Sequence, residues 1–144
     1  MEGKRDWIKA IVAGLVWFCA FAPLQCELAA WLTPAMLLWA TAAEPRRAFC
    51  LGWVAGAAHF FSSLSWVLYI PVAGSNVVGW VMLSGYCAIY PAIWVAFCWA
   101  IFPGDRTNAG KAVSQIPFKV RLLWGGACAM GWVAQEGLRG WVIT

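Results

Sequence analysis

Residues 77–102 read VVGWVMLSGYCAIYPAIWVAFCWAIF, a run without one charged side chain. A helix crosses the hydrocarbon of a bilayer with about 20 apolar residues. A lone strand in lipid would leave its backbone groups unpaired, so a run of this length is read as a helix. Period-2 alternation is absent from it, which also argues against a barrel.

The rest of the chain repeats the pattern. Apolar residues make up 63% of the sequence and charged residues 11%, where a soluble domain sits near half and a quarter. Twelve tryptophans suit the interface between bilayer and water, where part of the ring is dry and the N–H is wet. Five runs qualify as spans, at approximately 8–24, 28–43, 48–70, 77–102 and 120–143. Pro23 and Pro34 are read as bracketing a tight turn between the first two. A cleaved signal peptide ending at Ala20-Phe21-Ala22 is the rival for the first run, and Pro23 directly after that box argues against cleavage. The expected fold is an all-α, polytopic transmembrane helical bundle of about five spans, forming one N-terminal transmembrane domain over residues 1–144.

Charge sets the direction. With the N-terminus inside, the inner segments hold Lys4, Arg5, Lys9, Arg46, Arg47, Arg106, Lys111, Lys119 and Arg121, and only Arg139 falls outside. This is the bias of the positive-inside rule. It places the polar stretch 103–119 in the cytoplasm as a flexible loop and the C-terminus on the outer face. Trp7 and Trp99 are expected near the inner surface, and Trp31, Trp66, Trp80 and Trp141 near the outer one. The net charge of +4 is spread over short polar segments, not gathered into a patch, so nucleic acid is not an expected partner.

Little conventional chemistry is present. The six cysteines, Cys19, Cys26, Cys50, Cys87, Cys98 and Cys128, show no C-x-x-C spacing and read as small core residues. His59 has no second histidine or carboxylate near it in sequence, so no metal site and no cofactor are expected. Gly52 and Gly56 form a G-x-x-x-G, continued by Ser63, and this run reads as a packing helix; a proton-handling His59 is the alternative. No nucleophile–base pair and no phosphate-binding glycine loop appears.

One feature breaks the apolar pattern near the end. In QEGLRGWVIT (135–144), Glu136 and Arg139 lie three apart, on one helical face. An ionisable group inside a span usually faces a cavity or a partner. The other reading is interfacial, with Arg139 snorkelling to head groups. The residues by themselves leave both open.

These blocks carry a resemblance. FAPL (21–24), GWVAGAAHFFSSLSWV (52–67) and QEGLRGWVIT occur in the order found in the N-terminal membrane portion of apolipoprotein N-acyltransferases. The last block is the most specific: Glu136, Leu138, Arg139, Gly140, Trp141 and Thr144 match the family pattern. Gly137 departs from it, since the family usually has a bulky or aromatic residue there.

The resemblance implies a lipoprotein-maturation enzyme of the bacterial inner membrane. It moves an acyl chain from a phospholipid to the N-terminal amino group of a diacylglyceryl-cysteine lipoprotein, so phospholipid and lipoprotein are the implied partners of a monomer. The chemistry in the family passes through a cysteine thioester, with a glutamate and a lysine, in a nitrilase-like domain. No catalytic residue of that set matches this chain, which is therefore expected to be a truncated member, inactive alone. Glu136, Arg139 and Trp141 are the expected contributors to a substrate or lipid cavity. The alternatives are a small non-catalytic membrane protein that binds lipid or scaffolds a partner, and half of a transporter. The transporter reading asks for internal repeats with broken helices, and none is seen.

Overall fold

The computed structural model describes residues 2–21, 24–40, 44–71, 75–105 and 113–143, and all the regular structure among them is helical. Helices α1 (Glu2–Cys19), α2 (Glu27–Ala40) and α3 (Pro45–Ser63) are followed by a 3₁₀ segment at Ser65–Tyr69. Helices α4 (Asn76–Cys87), α5 (Ile89–Ala100) and α6 (Phe118–Ile143) complete the bundle.

The chain reverses between successive layers. Helix α1 runs alongside α3 in the same direction: Asp6 meets Arg47, Gly14 meets Ala55 and Trp17 meets His59. Helix α5 runs antiparallel to both α3 and α6. Gly52 lies against Ala92 and Val95, and Gly56 against Ala88 and Pro91. Trp94 Nε1 donates to the Cys128 carbonyl at 2.8 Å, and Trp124 Nε1 to the Cys98 carbonyl at 2.9 Å. These bonds join helices without drawing on a second side chain.

Small residues put α3 at the centre. A Cβ on Gly14 would stand 2.1 Å from the Ala55 carbonyl oxygen. One on Gly56 would stand 2.6 Å from Pro91 Cγ and 3.0 Å from Ala88 Cα. The G-x-x-x-G of α3 therefore is a packing motif, and its partner is α5. The core along this axis includes Ala10, Ala13, Leu37, Leu51, Ala55, Val95 and Cys98.

Several sequence expectations change. Pro34 does not close a turn; it lies inside α2. The chain accommodates its missing N–H while the neighbouring Thr33 hydroxyl donates to the Ala29 carbonyl at 2.7 Å. The corner before α2 is made instead at Gln25, which adopts φ of 49°, and the Cys26 N–H reaches back to the Cys19 carbonyl at 2.9 Å. The run 77–102 is interrupted at Ala88, because Pro91 has no N–H for the Cys87 carbonyl and its ring crowds that turn. Trp99 is buried against Phe102 and Trp124, so it is a core residue and not part of an interfacial belt. Of the expected cytoplasmic loop, residues 106–112 lie outside the described residues, and 113–115 form a helical turn.

Among the described residues one helical stretch, Asn76–Ala100, is long and apolar enough to cross a membrane. The others fall short for visible reasons. Helix α1 carries Lys4, Arg5, Asp6 and Lys9 in its first half, α2 has 14 residues, α3 has 19 residues that include Arg46, Arg47 and His59, and α6 carries Lys119, Arg121, Glu136 and Arg139.

A donor-lined cavity as the candidate functional site

At the end of the bundle remote from Asp6 and Arg47, helices α1, α2, α3 and α6 and the 3₁₀ segment surround a cavity of about 560 Å³. Trp17 and Phe21 come from α1 and its exit, and His59, Phe60 and Ser63 from α3. Trp66 comes from the 3₁₀ segment, and Trp132, Glu136 and Arg139 from α6.

Helical spacing explains the α6 contribution. Trp132, Glu136 and Arg139 lie at i, i+4 and i+7, one face of a helix. Arg139 Nη2 donates to Glu136 Oε2 at 2.5 Å, and the guanidinium carbon stands 5.8 Å from the centre of the Phe60 ring. Both side chains are partly buried. The pair is thus set against the aromatic wall, facing the cavity.

Trp17 joins the wall to the core. Its ring stacks on His59 at 4.1 Å with planes 13° apart. It also meets Phe60 edge-on at 5.7 Å and Trp132 at 5.4 Å. His59 is 3% exposed, and its Nδ1 is buried without a hydrogen-bond partner.

The expected site residues are therefore divided. Glu136 and Arg139 line the cavity together. Trp141 does not; it projects from α6 with 82% of its surface exposed. Sequence reading missed Trp17, Phe60, Trp66 and Trp132 as lining residues and took His59 only as part of a packing helix or a proton relay. The available signal was His59 itself, an imidazole in an apolar run one turn beyond the G-x-x-x-G. Among the described residues no group of His, Cys, Asp and Glu is arranged to hold a metal ion.

The fold and the cavity define an all-helical domain with an apolar exterior and one amphipathic chamber at its end. Residues 13–144 match the apolipoprotein N-acyltransferase N-terminal domain. The chain is 33% identical over 145 aligned positions to the apolipoprotein N-acyltransferase of Vibrio vulnificus (strain CMCP6), covering 95% of this chain and 26% of that protein. It is 31% identical to that of Vibrio parahaemolyticus, covering 98% and 26%, and 30% identical to that of Chromobacterium violaceum, covering 95% and 25%. No solved structure matches the chain. The chain belongs to the apolipoprotein N-acyltransferase family and spans about a quarter of the length of these curated relatives.

Proposed function

We propose that this chain is the membrane-embedded N-terminal part of an enzyme that carries an acyl group from phospholipid to the N-terminal amine of a diacylglyceryl-cysteine lipoprotein. In this reading the cavity at the end of α6 receives an acyl-bearing lipid. The bond-making step belongs to the part of the relatives that this chain does not span. The domain crosses the bacterial inner membrane about five times, with its N-terminus inside and the Glu136–Arg139 end outside.

The observation that carries the reading is the Glu136–Arg139 pair set against the Phe60 ring inside a cavity. A guanidinium offers paired N–H donors that fit phosphate oxygens, and Glu136 engages only Nη2. The apolar exterior supports the bilayer: Leu28, Trp31, Leu123, Met130 and Val133 are all exposed, a surface that water does not favour. The Asp6, Lys9 and Arg47 cluster lies at the opposite end, in keeping with an inner, positively charged side.

The test is replacement by alanine of the arginine equivalent to Arg139 in a full-length relative. Acyl transfer in membranes is expected to fall at least tenfold, the loss of about 1.4 kcal/mol of charged hydrogen bonding, with normal amounts of folded protein. Unchanged transfer would sink the reading.

A further inference from the structure

Two sets among the twelve tryptophans differ in their partners. Trp53, Trp80, Trp94 and Trp124 each donate the indole N–H to a backbone carbonyl. Trp17, Trp66 and Trp132 make no such bond among the described residues, and these three line the cavity. Trp66 is 58% exposed, and these three rings bring indole N–H groups to the chamber wall that are not spent on the backbone.

His59 adds a fourth. An uncharged imidazole has one donor and one acceptor nitrogen. Nδ1 is enclosed and has no partner. An orphaned N–H is rarer in proteins than an under-used acceptor, so the ring hydrogen belongs on Nε2, the nitrogen not enclosed. Arg139 supplies further N–H groups beyond the one given to Glu136. Against these donors stand the Ser63 hydroxyl and the Glu136 carboxylate, which Arg139 already holds.

We infer that the cavity binds the glycerol ester region of a glycerophospholipid, with His59 donating to an ester carbonyl and Arg139 to the adjoining phosphate. This rests on the reading of the cavity as a lipid site and adds the residue that recognises the ester. Ester carbonyls accept hydrogen bonds and donate none, which suits the Nε2–H of His59 beside the Arg139 guanidinium. The aromatic rings beside them give the acyl chains an apolar exit. His59 is a specificity-determining contact: it tells an ester-linked lipid from an ether-linked one of the same shape.

The 144-residue chain in detergent, given equal amounts of diacyl and dialkyl-ether phosphatidylglycerol, tests this by native mass spectrometry of the retained lipid. Diacylglycerol and glycerophosphate alone form two further arms. The wild-type chain is expected to retain the diester over the diether by about threefold to tenfold, the worth of one neutral hydrogen bond. Diacylglycerol is expected to bind more weakly through loss of the phosphate, and glycerophosphate not to bind.

His59→Phe keeps the stack on Trp17 and is expected to bring the diester-to-diether ratio close to one. His59→Gln keeps an N–H donor and is expected to restore much of the preference. Arg139→Ala is expected to lower retention of both phospholipids while the ratio persists. Equal retention of diester and diether by the wild-type chain, or a ratio untouched in His59→Phe, overturns the inference while leaving the lipid cavity standing. Failure of the wild-type chain to retain either phospholipid, with Arg139→Ala no different, overturns the cavity reading and this inference with it.

Discussion

The imidazole of His59 lies flat on the indole of Trp17, 4.1 Å away and 13° from parallel. This contact ties α1 to α3 at the cavity and shields one ring nitrogen completely. Stacked rings contribute on the order of 1 kcal/mol beyond their buried area, whereas the unpaired nitrogen is a burden. His59→Phe is therefore expected to change thermal stability in detergent by less than about 1 kcal/mol. His59→Ala removes the stack and leaves a void, and is expected to destabilise by about 3 kcal/mol. Equal losses for the two variants would mean that the stack contributes nothing.

Close approach of α1 to α3, and of α3 to α5, depends on Gly14 and Gly56. Valine at either site drives a side chain into neighbouring backbone, at the Ala55 carbonyl for Gly14 and at Ala88 for Gly56. Each change is expected to destabilise by about 3 kcal/mol. Gly126, where a Cβ meets nothing within 4 Å, serves as the control, and Gly126→Ala is expected to stay within about 0.5 kcal/mol of wild type. Unfolding midpoints in a denaturing detergent series would rank the three.

Helix α6 is fastened to α5 by two indole donors, Trp94 to the Cys128 carbonyl and Trp124 to the Cys98 carbonyl. Replacing either with phenylalanine is expected to cost about 1 kcal/mol. The double variant is expected to raise amide exchange along α6 while α3, packed on the other side of α5, stays protected. Exchange that rises equally throughout the bundle would show that the two bonds do not hold α6 separately.

Gln135 faces the groove between α5 and α6 with both amide atoms buried and unpartnered. Its surroundings, Ile93, Trp94, Phe97 and Leu138, are apolar. Gln135→Leu is expected to stabilise the isolated chain by about 1 to 2 kcal/mol, because it removes two unsatisfied groups while keeping the volume. A lower unfolding midpoint would show that the amide has an acceptor or donor in the membrane-embedded protein.

How much of this was legible follows from the kind of signal each residue carries. Long apolar runs identify helices regardless of neighbours, so the segments near 8–24, 48–70, 77–102 and 120–143 correspond to α1, α3, the α4–α5 pair and α6. Helix ends escape hydropathy where backbone chemistry is local. Proline at 91 interrupts a run that hydropathy reads as continuous, and proline at 34 is absorbed within α2. Glu136 and Arg139 were visible because a charged pair in an apolar helix stands out. Trp141 shares the motif that carries the resemblance, yet two residues beyond Arg139 is about 200° around a helix, and the ring points away from the cavity.

The sequence by itself determined the helical class, the apolar exterior, the family and the pairing of Glu136 with Arg139, because composition, period and motif are properties of single segments. Only the tertiary structure decided that Trp17, His59 and Trp132 meet around one cavity and that Trp99 does not reach the surface. A helical period says which side chains share a face. It does not say which other helix that face will meet, and here that choice is made by close backbone approach at Gly14, Gly52 and Gly56. Those contacts bring α1 and α5 against α3 and leave a space lined by aromatic rings and the Glu136–Arg139 pair where the helices part.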